Sequence, residues 1–306
     1  MSNARFLVVC LNPTFQKTIV LSDLLENEVN RSSNYHLNLA GKGVNTARIL
    51  MQLGEQVRHL THLGGSLSDY FLSLIEIDAI PFLWVESGSE IRTCYTLLNS
   101  RNHTTTEIVE EPEAVLESTY EKMLAAYEGA LPHYDVVIIA GTKAPRYPDS
   151  VIPQMVYRAK TEGKFVILDI KGDDLLNSLE YKPDIIKPNF SEFLHTFYPD
   201  AEQGEHTIHP EYKSFVIEQM ETIYRKFKTI SVITSGANPT LFIENNQVSS
   251  LPVQKVVPVN TIGSGDAFTA GMSSVLASGG SIREAVEKGQ DCGAQNALQL
   301  LPGTLG

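Results

Sequence analysis

Asn260-Thr-Ile-Gly-Ser-Gly-Asp-Ala-Phe-Thr-Ala-Gly271 is the most informative stretch of the chain. Two glycines, Gly263 and Gly265, let backbone N–H groups converge just before an apolar run that reads as a helix. The first turn of a helix has unpaired N–H donors and the positive end of the backbone dipole, so such a loop cradles an anion. Asp266 sits inside that cradle. An acid there is a helix cap or a general base that takes a proton from a hydroxyl attacking a bound phosphate, and spacing alone does not separate the two.

Outward from this loop, short apolar runs alternate with helical stretches. Phe6–Leu11, Asp135–Ala140, Phe165–Asp169, Asp184–Lys187 and Ile230–Thr234 read as strands. They are continuous rather than alternating, as expected when helices cover both sheet faces. Helices are predicted near Val44–Leu53, Leu67–Ile77, Glu113–Glu128, Val151–Glu162, Tyr212–Lys226, Ala267–Ala277 and Ile282–Leu300. This order implies an α/β fold with a mostly parallel sheet. Thr18–Ser33 and Ile91–Val109 break the pattern, and Arg92–Asn99 with Thr104–Val109 reads as a hairpin. Both regions are read as excursions forming a small antiparallel flap, with surface decoration as the alternative.

A second glycine segment, Ala40-Gly-Lys-Gly-Val-Asn-Thr-Ala47, opens another apolar helix; Lys42 offers charge and Asn45 a hydrogen-bonding amide for a polyol. It lacks the third glycine of a dinucleotide fingerprint, and GxxxxGK[ST], GxSxG and HExxH are absent from the chain. A third segment, Lys187-Pro-Asn-Phe-Ser-Glu192, follows an apolar strand. Asn189 and Glu192 are three apart, so they share a helix face as a cap or as a holder of Mg²⁺ through water. His206 and His209 have metal-like spacing but read as solvated histidines.

The 306 residues carry 24 Lys+Arg against 36 Asp+Glu, a formal charge of −12, which argues against nucleic acid as the partner. Hydrophobic content of 42% with 20% charged residues predicts a sizeable core. Cys10, Cys94 and Cys292 form no metal or disulfide pattern, and the first apolar run is too short for a leader or a membrane span. The expectation is a cytoplasmic protein without a membrane partner.

In this order the motifs resemble the ribokinase-like (PfkB) carbohydrate kinase family over essentially the whole chain, 1–306, read as one kinase domain. Leu11-Asn-Pro13, Glu28-Val-Asn-Arg31, Gly41-Lys-Gly43 with Asn45, and Thr106-Glu-Ile108 look like its phosphosugar branch, which contains 1-phosphofructokinase and tagatose-6-phosphate kinase. The resemblance implies transfer from ATP, with Mg²⁺, to a hydroxyl of a sugar phosphate, under a β-lid contributed by about 12–36 and 88–110. It also raises the expectation of a homodimer through that lid. By motif match Asp266 is the base, and Gly263, Ser264 and Gly265 form the anion hole. Lys187 and Asn189 lie on the nucleotide phosphates, with Asn189 and Glu192 positioning the metal. Ser235, Gly236 and Ala237 form the nucleotide turn, and Asn296 flanks the adenine. Gln16, Gly41, Lys42 and Asn45 are sugar-site positions, and Arg31 and Arg92 grip a substrate phosphate.

Departures cluster at the acceptor. Gln16 stands where the family places Asp, and Ala40-Gly41 replaces a double glycine. Ala140-Gly-Thr-Lys-Ala-Pro145 replaces Ser-Gly-Ser-Leu-Pro, and the nucleotide turn reads Gly-Ala-Asn-Pro239. Cys94 and Thr96 stand where Asn and Lys are common. A kinase of another sugar or a nucleoside, and a sugar-phosphate sensor, remain the alternative readings.

Overall fold

The structure is a computed structural model that describes residues 4–202 and 210–306; His206 and His209 lie outside the described residues. β1 (Arg5–Val9) lies inside a nine-stranded sheet, third from one edge. Its even and odd side chains part cleanly. Leu7 and Val9 join one buried cluster, while Phe6 and Val8 join the other, on the opposite face. Seven strands run parallel, in the order β11 (Ile230–Ser235), β10 (Ile185–Ile186), β9 (Phe165–Asp169), β8 (Val136–Ala140), β1, β4 (Gln56–Leu63) and β5 (Phe82–Glu86). The hairpin β12 (Asn238–Glu244) and β13 (Gln247–Leu251) adds antiparallel strands at one edge.

Helices cover both faces. α3 (Thr119–Ala130), α4 (Val151–Thr161), α6 (Phe190–Phe197) and α7 (Pro210–Phe227) bury their apolar stripes on the Leu7 side. α1 (Lys42–Gln52), α2 (Ser68–Asp78), α8 (Ser264–Ala277) and α9 (Ile282–Ala297) do so on the Phe6 side. The short α5 (Gly172–Ser178) follows β9. Among the described residues no helix is long and apolar enough to cross a membrane, and all three cysteines are free and buried.

A separate small sheet does form, ordered β3 (Tyr35–Ala40), β2 (Thr14–Leu21), β6 (Arg92–Asn99) and β7 (Thr104–Val109). Ile91–Val109 supplies two of its strands, but Thr18–Ser33 supplies only the second half of β2, and β3 lies beyond it. Its outer ladders are antiparallel and its central one, β2 with β6, is parallel. The helix expected from Glu113 begins only at Thr119. β4, β5 and the β12–β13 hairpin were not expected. β4 was hidden because it carries Arg58, His59, Thr61 and His62, yet two of these are buried with backbone partners. His59 Nδ1 lies 3.0 Å from the Val8 carbonyl, and Thr61 Oγ1 donates to the Cys10 carbonyl at 2.5 Å.

From β1 the chain moves outward to β4 and β5, then returns to β8 on the other flank of β1. An open parallel sheet has its crevice at the carboxyl ends of the strands where the order reverses. Asn12 and Thr142 face each other across that point, Asn12 Nδ2 donating to Thr142 Oγ1 at 2.9 Å. α1 is drawn close against the same strands by Gly43. A β-carbon there would lie 2.5 Å from Cys10 Cβ and 2.5 Å from His59 Cε1, both in the packed floor of the crevice. Gly43→Ala should therefore destabilise the fold by about 1–3 kcal/mol through overpacking, read as a lower denaturant midpoint. An unchanged midpoint would mean that α1 is not seated tightly on β1 and β4.

Candidate active site

Five elements end at the crevice. α8 enters through Gly263, whose φ of 81° is available to glycine and strained for other residues. A β-carbon on Gly263 would also lie 2.9 Å from Pro302 Cβ. The Ser264 amide is held by the Thr261 carbonyl at 3.2 Å. The amides of Gly265 and Asp266 belong to the first helical turn, where no carbonyl lies one turn back. Gly265 leaves the space before them open, its nearest neighbour being Lys187 Nζ, 3.8 Å from where a β-carbon would stand. Backbone donors and a lysine thus converge on one point.

Beneath that point lies a buried charge cluster. Asp169, the last residue of β9, pairs with Lys42 Nζ at 2.7 Å through one oxygen and with Lys187 Nζ at 3.1 Å through the other. Thr269 Oγ1 of α8 donates to the second oxygen at 2.7 Å. Lys42 also reaches Glu192 Oε1 at 3.4 Å. Burial alone would raise the Asp169 pKa, but Lys187 and Lys42 outweigh it and hold the group at about 2. For Lys42, burial opposes the charge, and Asp169, Glu192 and Asp266 more than offset it, so the amine is held above its ordinary range.

Asp266 has the opposite fate. Burial, and then the nearby Asp169 charge, push its pKa up to about 6, although Lys42, the Asn45 amide and Lys187 pull against them. Asn45 Nδ2 donates to Asp266 Oδ2 at 2.8 Å. A carboxylate poised near neutrality at a helix N-terminus can accept a proton from a hydroxyl, which a fully stabilised carboxylate such as Asp169 does poorly.

The Asn189–Glu192 pair is a capping box on α6. Asn189 Oδ1 accepts from the Glu192 amide at 2.7 Å, and Glu192 Oε2 accepts from the Asn189 amide at 2.9 Å. Asn189 has its oxygen engaged, whereas Glu192 Oε1 faces the cluster through Lys42. That one carboxylate oxygen, shared with Lys42, is what the pair has left for Mg²⁺, a cation that retains several waters.

Gly41 precedes α1 with φ 92°. Ser235, Gly236 and Ala237 turn the chain from the carboxyl end of β11 into β12, and nothing lies within 4 Å of a β-carbon on Gly236. Asn296 is fully buried with its amide in use: Nδ2 donates to the Ile262 carbonyl at 2.9 Å, and Oδ1 accepts from the Gly303 amide at 2.8 Å. It braces the Gly263 loop from behind instead of offering its side chain outward. Gln16 is buried in the lid, Nε2 donating to Thr96 Oγ1 at 2.6 Å. Arg92 Nη1 donates to the Glu110 carbonyl at 3.1 Å, while its buried Nε has no partner. Arg92 also lines a small cavity with Asn12, Glu90 and Ala144. Arg31 is exposed on the β2–β3 connection.

Asp169, Thr269 and Thr142 were not among the expected site residues. Asp169 had one usable signal: it is the only charge in its apolar run and stands at the carboxyl end of the strand.

Solved structures share this fold. The tetrameric inhibited form of phosphofructokinase-2 from Escherichia coli superposes with a TM-score of 0.82 and 20% identity, over 96% of this chain and 94% of that one. A possible 1-phosphofructokinase from Thermotoga maritima gives 0.84 and 20%, covering 99% and 94%. A ribokinase from Thermotoga maritima gives 0.73 and 17%, covering 98% and 95%. At these identities the likeness is one of fold. Residues 7–304 match the pfkB family carbohydrate kinase description as well, so the chain belongs to that family and is a sugar kinase, a phosphotransferase acting on an alcohol group.

Proposed function

We propose that the chain transfers the γ-phosphoryl group of ATP to a hydroxyl of a hexose monophosphate. The carrying observation is Asp266: buried, poised near pH 6, and set among first-turn amides beside Lys187. The amides of Gly265 and Asp266, with Lys187, meet the negative charge that develops on the transferring phosphoryl oxygens. Asn45 holds Asp266 Oδ2, which leaves Oδ1 to take the proton of the acceptor hydroxyl. Glu192, through its outward oxygen, would hold hydrated Mg²⁺, which when bound neutralises phosphoryl charge. The open turn at Ser235, Gly236 and Ala237 suits the nucleotide base and sugar. Asn296 contributes by bracing the anion-hole loop.

The lid supplies the acceptor groups. Gln16 donates through Nε2 to Thr96, so its Oε1 is left to accept one sugar hydroxyl, whereas a carboxylate would accept more. Arg92, with an unpartnered buried Nε, and Arg31 provide the cations for the existing phosphate. This reading treats the chain as one kinase domain whose lid comes from about 12–36 and 88–110. The exposed apolar lid residues Tyr35, Leu37 and Ile108 support pairing with a second copy there.

Asp266→Asn keeps shape but cannot take the proton, so kcat should fall by roughly 10²–10⁴-fold with little change in the KM for ATP. Near-normal turnover would remove Asp266 from the chemistry. Asp169→Asn removes a charge that favours the protonated form of Asp266, so the Asp266 pKa should drop. The acid limb of the rate, near pH 6 in the native enzyme, should then move to lower pH. The same change leaves Lys187 without its carboxylate and Lys42 with Glu192 alone, at a cost of about 3–5 kcal/mol of stability; an unmoved limb would uncouple the two carboxylates. Arg92→Lys loses bidentate contact and should raise the KM for a hexose monophosphate far more than that for ATP. ATP consumption across phosphorylated and unphosphorylated sugars checks this, and faster turnover of an unphosphorylated sugar would overturn the assignment of substrate class.

A further inference from the structure

Arg48 lies one turn after Asn45 on α1 and reaches four segments of the chain. Its Nη2 pairs with Asp78 Oδ2 at 2.5 Å, at the end of α2, and donates to the Leu39 carbonyl of β3 at 3.1 Å. Its Nη1 lies 3.3 Å from the Pro302 carbonyl and 3.5 Å from Asn45 Oδ1. A guanidinium only donates, so the oxygen of the Asn45 amide must face Arg48, and its nitrogen is left for Asp266. Turned the other way, the amide would set its oxygen against a carboxylate oxygen, two acceptors with no proton between them.

The C-terminal turn closes the remaining side of Asn45. Gly303 has φ 72°, and its amide is held by Asn296 Oδ1 at 2.8 Å. A β-carbon on Gly303 would lie 3.1 Å from Asn45 Oδ1 and 2.8 Å from Arg48 Nη1. Asn45 therefore sits between a donor that dictates its orientation and a turn at which any side chain larger than glycine's would crowd it. We infer that Arg48, backed by the Pro302-Gly303 turn, is a positioning residue for phosphoryl transfer: it fixes which end of the Asn45 amide meets Asp266, and so which Asp266 oxygen remains for the acceptor hydroxyl. This rests on Asp266 being the base. Because Arg48 also holds the Leu39 carbonyl, just before Ala40-Gly41, one side chain ties the root of the lid to the base.

A simple staple between α1 and α2 would need only the Asp78 contact, and the two roles separate experimentally. Arg48→Lys keeps the charge and can still meet Asp78, but one ammonium cannot also span to Pro302 and Asn45. It should lower kcat about tenfold, as expected for a weakened hydrogen bond to a charged group, with little change in the KM for ATP. The acid limb should also move to higher pH, because the donor that favours the charged carboxylate is loosened. The other titratable groups acting on Asp266 stay in place: Lys42 on α1, Asp169 at the end of β9, Lys187 after β10 and Cys10 after β1. Gly303→Ala, which crowds Asn45 without touching Asp78, should move the limb the same way.

Asn45→Ala completes a double-mutant cycle with Arg48→Lys. The double variant should be no slower than Asn45→Ala alone, since Arg48 would have nothing left to orient. Multiplicative losses, or an Arg48→Lys enzyme with native kcat and pH profile, would overturn the inference. Asp266→Asn measured in parallel keeps the premises apart: full turnover there defeats the base itself. Lost turnover there, with multiplicative Arg48 and Asn45 effects, defeats only the role given to Arg48.

Discussion

One buried carboxylate organises the crevice. Asp169 is held between two ammonium groups that arrive from different parts of the chain, Lys42 from the start of α1 and Lys187 from the segment after β10. Asp169 and Lys187 would not be tolerated there alone, because an unpaired buried ion loses its hydration without return. Together the three join α1, the middle of the sheet and, through Thr269, α8. The glycines matter because they admit this cluster. Gly43 lets α1 sit low enough, and Gly265 keeps the space beside Lys187 open.

That arrangement also sets two carboxylates to different tasks. Asp169 sees two cations at contact distance and stays ionised down to about pH 2. Asp266 sees the Asp169 charge and little water, and is lifted to about 6. Environments that push neighbouring acids apart in this way are how one site supplies both a fixed charge and a base. On the proposed roles, Arg48 and Asn45 decide which Asp266 oxygen is presented, so orientation and charge come from separate parts of the structure.

Much of this was legible before the structure. Continuous apolar runs identified five of the parallel strands, since a strand buried on both faces needs no polar alternation. The Gly263–Asp266 loop was legible because few arrangements other than an anion cradle need glycines at that spacing before a helix. β4 escaped because its buried His59, Thr61 and His62 meet backbone or a distant side chain, which no local pattern records. The parallel pairing of β2 with β6 was equally hidden, as residues about 80 positions apart carry no mark of their register. In the sequence Asp169 reads only as the end of a strand and Arg48 only as part of a helix. Their roles exist only once distant segments meet. The Asn189–Glu192 pair shows the reverse case, a spacing with two readings in which the capping box is present and Glu192 still keeps one oxygen toward the cluster.

The central claim is that the crevice holds Asp266 partly protonated near neutrality while Asp169 stays charged. A difference infrared titration of the free enzyme, native against Asp266→Asn, reads this directly from the protonated-carboxyl band that the variant lacks. The account predicts a midpoint near pH 6 for that band. A midpoint in the ordinary aspartate range, about pH 4, would contradict it.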